Sequence, residues 1–145
     1  MVATVAVGIA ASTAAPAGAI NDIKPFGTEM TLKNYLFDTE IGYTVHDLTP
    51  SSDPVAHPVQ GELYESTTTV RSVRGVVVPI IPFFNARAAN GQSYQVLAHV
   101  STLSGAALLP GAQSTGKLYF DVVGDAPNSV VFNDGRQDLL GWVTP

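Results

Sequence analysis

A chain of 145 residues, 46% hydrophobic and 13% charged, has room for one domain with a real core, which excludes a disordered polymer. Its formal net charge of −5 excludes the cationic field needed to hold nucleic-acid phosphates or anionic lipid. There is no cysteine, so disulfides, thiol catalysis and thiolate metal sites are excluded together.

The first charged side chain is Asp22. Residues 1–19 are small or apolar and close with Ala17-Gly18-Ala19, the pattern of an export signal and its cleavage site. Met1 runs directly into Val2-Ala3-Thr4-Val5, without the basic start such signals carry. We therefore expect the natural start to lie upstream, or the segment to have been trimmed. A retained membrane anchor fits less well. Gly8, Ser12 and Pro16 interrupt an Ala-rich run, whereas spanning needs about 20 strongly apolar residues. The expected mature domain is residues 20–145, and the whole acidic balance belongs to it. Its expected location is extracellular, with no stable insertion in a membrane.

Two-residue alternation dominates the mature chain. Met30 and Leu32 alternate with Glu29, Thr31 and Lys33; Ile41, Tyr43 and Val45 alternate with Gly42, Thr44 and His46. Thr67-Thr68-Thr69-Val70, within Glu62 to Arg74, is a β-branched run that favours a pleat. Tyr94, Val96 and Ala98 repeat the pattern, as do Leu118, Phe120 and Val122. Such alternation marks strands with one buried face. Pro50-Ser51-Ser52-Asp53-Pro54 reads as a loop, and Asn90-Gly91 and Asp134-Gly135 as tight hairpin turns. Pro110-Gly111 and Ala126-Pro127-Asn128 break the remaining joins. A short helical turn is allowed near Tyr35 or Asp138. Val76 to Phe84 is the most apolar mature stretch; Pro79 and Pro82 predict an edge or bulged strand there. That stretch either fills the core or forms an exposed binding patch. About eight strands at roughly ten- to fifteen-residue spacing predict an all-β fold, a sandwich with Greek-key links.

Phe84-Asn85-Ala86-Arg87 leads through Asn90-Gly91 to Tyr94, and Ser114-Thr115-Gly116-Lys117-Leu118-Tyr119-Phe120-Asp121-Val122 follows. Asp138-Leu139-Leu140 with Trp142 closes the chain. Together with Glu29-Met30-Thr31 and Val45-His46-Asp47-Leu48, these segments resemble the secreted mycobacterial immunoprotective extracellular protein family, which are small immunogenic antigens. The resemblance implies an immunoglobulin-like antiparallel β-sandwich, export and recognition by host immunity. It implies no enzymatic activity and supplies no catalytic residues.

The residues themselves offer little chemistry. His46, His57 and His99 are too far apart in sequence to form a local zinc pair, and His46 and His99 fall on the wet faces of their predicted strands. Ser114 lacks the Gly-x-Ser-x-Gly elbow of a hydrolase and precedes a strand where the elbow needs a helix. Asp121, Asp125, Asp134 and Asp138 are concentrated late, but Asn133-Asp134-Gly135 lacks the alternating acids of a calcium loop. Glu62 and Glu65 point to opposite faces of one strand, which bars them from a glycosidase pair. Arg71, Arg74 and Arg87 are too few for a phosphate-tracking stripe. Trp142, alone of its kind, shares a face with Leu140 and is expected in the core. No catalytic, cofactor or metal residue is therefore assigned. The expected function is a secreted antigen acting as a non-catalytic interaction module, with a host or cell-envelope protein as its partner. The alternative is a carrier of a small apolar ligand between the sheets.

Overall fold

A computed structural model describes residues 22–145; the predicted export signal lies outside them. Ten strands follow in chain order: β1 (Asp22–Pro25), β2 (Glu29–Asn34), β3 (Thr39–Val45), β4 (Thr49–Pro50), β5 (Glu62–Arg74), β6 (Phe84–Ala88), β7 (Ser93–Gln95), β8 (Gln113–Val122), β9 (Pro127–Asn133) and β10 (Asp138–Val143). They form two sheets. One has the order β1-β10-β9-β6-β7. In the other, β2 pairs with β3; β3 and β4 share one edge of β5, and β8 takes its other edge. The chain crosses between sheets at β1–β2, β5–β6, β7–β8 and β8–β9, as Greek-key links require. This is the expected immunoglobulin-like β-sandwich. Its pairings are antiparallel except one: β1 runs parallel to β10.

Alternation accounts for the core. Tyr43 and Val45, Leu118, Phe120 and Val122, and Phe84, Ala86 and Ala88 are buried and belong to one apolar cluster. Trp142 and Leu140 join it on β10, as their shared face predicted. Aromatic rings bridge the two layers. Tyr43 of β3 meets Phe84 edge-on at 5.4 Å and Phe132 of β9 at 4.8 Å, while Phe84 meets Phe132 at 5.1 Å. These separations lie in the range where ring quadrupoles attract. Burial pushes the Tyr43 phenol up to about 12.

Several expectations need correction. Ten strands form where about eight were predicted, because the two-residue β4 and the four-residue β1 are too short to show alternation. The stretch from Val76 to Phe84 is not a continuous strand. Pro79 and Pro82 withhold ladder donors, so one isolated bridge, Val77 to Leu108, is followed by a 3₁₀ turn at Ile81–Phe83. Its burial is split: Val77, Ile81 and Phe84 are buried, whereas Val76, Val78 and Ile80 are exposed. No helical turn forms at Tyr35 or Asp138; the first lies in a hairpin tip and the second opens β10. Pro127 opens β9 rather than breaking the chain before it. The strand around Tyr94 stops at Gln95, apart from a bridge at Val96. Ala98 and His99 therefore lie in a turn, closed by the N–H groups of Val100 and Ser101 on the Leu97 carbonyl. Asn90-Gly91 and Asp134-Gly135 turn as predicted, with Gly91 at φ +91° and Gly135 at +92°.

Candidate functional site

The most exposed apolar feature is the β2–β3 hairpin. Its strands pair without a break from Glu29–Thr44 to Asn34–Thr39, leaving Tyr35-Leu36-Phe37-Asp38 as the tip. Asn34 Oδ1 accepts the backbone N–H of Leu36 at 3.0 Å and of Phe37 at 3.3 Å, which fastens the turn from one side. On the other side Asp38 adopts φ +51°, and its carboxylate meets Arg74 Nη1 at 3.2 Å. Between these polar fasteners Tyr35 is 86% exposed, Leu36 84% and Phe37 71%. Three consecutive large apolar side chains left in water contribute nothing to the core, and such runs mark contact surfaces. Gly75, at φ +73°, lies against the base of this tip, where a Cβ would meet Thr39 Cγ2 at 2.9 Å. Val76 follows it in exposed form, and exposed Val78 and Leu109 flank the Val77–Leu108 bridge.

A second feature is polar. An open groove of about 420 Å³ lies on the outer face of the five-stranded sheet around β6, lined among others by Asn85, Arg87, Ser93, Gln95 and Asn133. Its floor is a closed network. Arg87 donates to both carboxylate oxygens of Asp138 at 2.6 Å and through Nε to Asn85 Oδ1 at 3.0 Å. Asn133 Nδ2 adds a 2.6 Å bond to Asp138, and Ser93 Oγ a 3.1 Å bond to Asn85. The only cation in the groove lining is thus already matched by a carboxylate. The network is suited to locking β6 to β10 across β9, and it offers no unneutralised charge to an anion.

A third cluster fastens the loop after β4 to β8. Asp53 accepts from Lys117 Nζ at 2.8 Å and from the Tyr119 hydroxyl at 2.6 Å, while Glu65 meets Lys117 at 3.0 Å. The hydrogen bond from Lys117 holds the Asp53 carboxyl below its usual range, and the same contact holds Lys117 above its own. Burial and the bond to Asp53 push Tyr119 up to about 12.

Trp142 is fully buried, and its indole N–H donates to the Thr28 carbonyl at 2.8 Å. The late carboxylates serve separate structural ends. Asp121 accepts the N–H groups of Gln60 and Gly61, Asp125 accepts from Asn90, Asp134 caps its own turn, and Asp138 holds Arg87. Glu62 is exposed, whereas Glu65 is half-buried beside Lys117. Arg71 pairs with Glu29 at 2.7 Å and Arg74 with Asp38, both at β5, away from Arg87 in the other sheet. Ser114 Oγ is buried and, among the described residues, makes no hydrogen bond. His46 Nε2 lies 2.9 Å from the Thr69 hydroxyl. His57 and His99, 42 residues apart, are brought together: Nδ1 of one lies 3.1 Å from Nε2 of the other. Among the described residues none of the three histidines is hydrogen-bonded to a carboxylate. Sequence inspection missed the hairpin tip, although the signal was present in three apolar residues framed by Asn34 and Asp38.

Comparison with known proteins gives this architecture its setting. The chain is 42% identical to the Immunogenic protein MPB63 of Mycobacterium bovis over 147 residues, covering 97% of this chain and 92% of that one. The Immunogenic protein MPT63 of Mycobacterium tuberculosis matches to the same extent. Its crystal structure, described as that of a secreted protein, superposes with a TM-score of 0.80 at 41% identity, covering 83% of this chain and 95% of that one. These relatives are named as antigens, not enzymes. Residues 21–142 match the family model described as Domain of unknown function (DUF1942), and the chain belongs to that family.

Proposed function

We propose that this protein is an exported antigen that works as a non-catalytic interaction module, binding a host or cell-envelope protein through the β2–β3 hairpin tip. The observation that carries this reading is the exposure of Tyr35, Leu36 and Phe37 on a turn fastened at both ends. Large aromatic side chains each bury on the order of 150–250 Å² at a contact, and tyrosine is enriched among the residues that dominate binding energy. A fixed turn presents them at a low entropic cost. The groove on the opposite sheet favours this division of labour, because its charges are already internally matched. A carrier role has less support, since the rings of Tyr43, Phe84, Phe132 and Trp142 occupy the space between the sheets.

The test is the triple substitution Tyr35→Ser, Leu36→Ser, Phe37→Ser. Its stability should change little, because the replaced side chains touch mostly water. Wild-type protein should retain one saturable protein partner from host-surface or envelope extracts, and the variant should bind that partner about 100-fold more weakly, a loss of about 2.7 kcal/mol. Equal affinity of the two proteins for the captured partner would overturn the hairpin assignment. An apolar small molecule co-purifying in place of a protein would favour the carrier.

Export itself has a separate check. The extracellular form should begin at Ile20, read by N-terminal sequencing of the culture medium. Recovery there of an intact residue 1–19 segment would contradict the cleavage site.

A further inference from the structure

We propose that His57 and His99 form a chelating site for a divalent transition metal of the imidazole-preferring class, with Cu²⁺ held most tightly. Their separation suits a shared metal. His57 Nδ1 and His99 Nε2 are 3.1 Å apart. Two nitrogens bound at ~2.0 Å to one metal lie about 2.8 Å apart at a right angle and about 3.3 Å apart at a tetrahedral one. The observed gap falls between these two bites. Ring orientation agrees. The centroids are 5.0 Å apart with the planes at 63°. Rings joined by a head-on N–H···N bond of this length would have centroids about 5.4 Å apart. The imidazoles are therefore tilted off the nitrogen–nitrogen line, as two ligands of one metal must be.

The segments that carry both ligands are held by the same strand. The loop carrying His57 is tied to β8 through Asp53, bonded to Lys117 and Tyr119, and through Asp121, which accepts the N–H groups of Gln60 and Gly61. The turn carrying His99 is tied to Tyr119 as well: Leu97 N–H donates to the Tyr119 carbonyl at 2.7 Å, and Tyr119 N–H donates to Ser101 Oγ at 3.2 Å. The two segments are thus brought together by β8, and the rings complete the approach with their own 3.1 Å contact, which lowers the ordering entropy a metal must overcome. His99 is exposed and His57 half-buried, so solvent reaches the pair. Among the described residues no third His, Cys, Asp or Glu joins them. The remaining coordination positions belong to water or an exogenous donor. With two imidazoles alone setting affinity, the metal preference follows the general order that places Cu²⁺ above Zn²⁺.

Binding needs a lone pair on each facing nitrogen. The ring that donates its N–H to the other must take the alternative tautomer, its proton passing through solvent to its second nitrogen. No redox change or net proton release is required of a neutral pair.

The probe is Cu²⁺ titrated into the full chain near neutral pH, followed by electron paramagnetic resonance and calorimetry. One equivalent should bind with superhyperfine structure from two nitrogens. His57→Ala and His99→Ala should each weaken binding more than about ten-fold. His46→Ala, which alters the only other histidine, should leave affinity and spectrum unchanged. All three substitutions lie on solvent-facing side chains, and unchanged circular dichroism will verify their folding. Failure of the wild type to bind Cu²⁺, or undiminished binding by a His57→Ala, His99→Ala double variant, overturns the site. Neither result touches the hairpin reading, which is measured on different residues.

Discussion

Replacing Trp142 by alanine should lower the unfolding free energy by about 4 kcal/mol. The side chain is fully buried on β10, between the pairing partners Lys24 of β1 and Val130 of β9. Its ring lies 6.4 Å from that of Phe84, so it closes one side of the aromatic core. Truncation removes both apolar area and the ring itself, and a rigid two-sheet frame cannot collapse into the space. The indole N–H adds a second loss. It donates to the Thr28 carbonyl, which lies in the link from β1 to β2, where the chain passes from one sheet to the other. Trp142→Phe separates the two contributions: it keeps an aromatic filler, omits the donor, and should lose about 1–2 kcal/mol. Since Trp142 is the only tryptophan, circular dichroism rather than intrinsic indole fluorescence must follow the denaturant titrations. The midpoint should fall with the denaturant slope unchanged. A loss below about 1 kcal/mol for the alanine variant would show that the core repacks and that Trp142 is not a keystone.

The alternation that made Trp142 legible also made most of the fold legible. A residue pattern of period two reports which face of a strand is wet, and Tyr43 with Val45, or Leu118 with Phe120 and Val122, needs no distant information to show it. Asn90-Gly91 and Asp134-Gly135 are equally local, because left-handed backbone is a property of the residues themselves. What sequence could not show depends on neighbours chosen by topology. β1 is held by parallel pairing to β10, more than a hundred residues away, and β4 by two residues of β5. Neither has a side-chain rhythm of its own. His57 and His99 belong to segments that meet only because both dock on β8. The hairpin tip is a different failure. Tyr35-Leu36-Phe37 fits neither a period of two nor a sustained one of 3.6, so periodicity assigns it to no face. Asn34 and Asp38 fix it outward through the hydrogen bonds and ion pair described above.

Asp138→Ala should destabilise the protein by about 3 kcal/mol, the second largest single loss expected. The carboxylate is 8% exposed and accepts three bonds of 2.6 Å, two from Arg87 and one from Asn133. Removing it leaves the Arg87 guanidinium, itself only 27% exposed, without its counter-charge over the outer face of the sheet. Most of the loss is therefore the penalty of an abandoned charge rather than the net worth of the pair. That distinction has a measurable form. Arg87→Met combined with Asp138→Leu removes both charges and fills similar volume, so the double variant should be more stable than Asp138→Ala alone. A double-mutant cycle of Arg87→Ala and Asp138→Ala should give a coupling well above 1 kcal/mol, because each single change strands the other partner. The interaction spans β6 and β10 with β9 between them, so it fixes how the hairpin closed by Asp134-Gly135 lies on β6. Raising the salt concentration should change the coupling little, since a bidentate, largely buried pair is weakly screened. Strict additivity of the two single losses would show that Arg87 and Asp138 act separately, and the network on the groove floor would then be no lock at all.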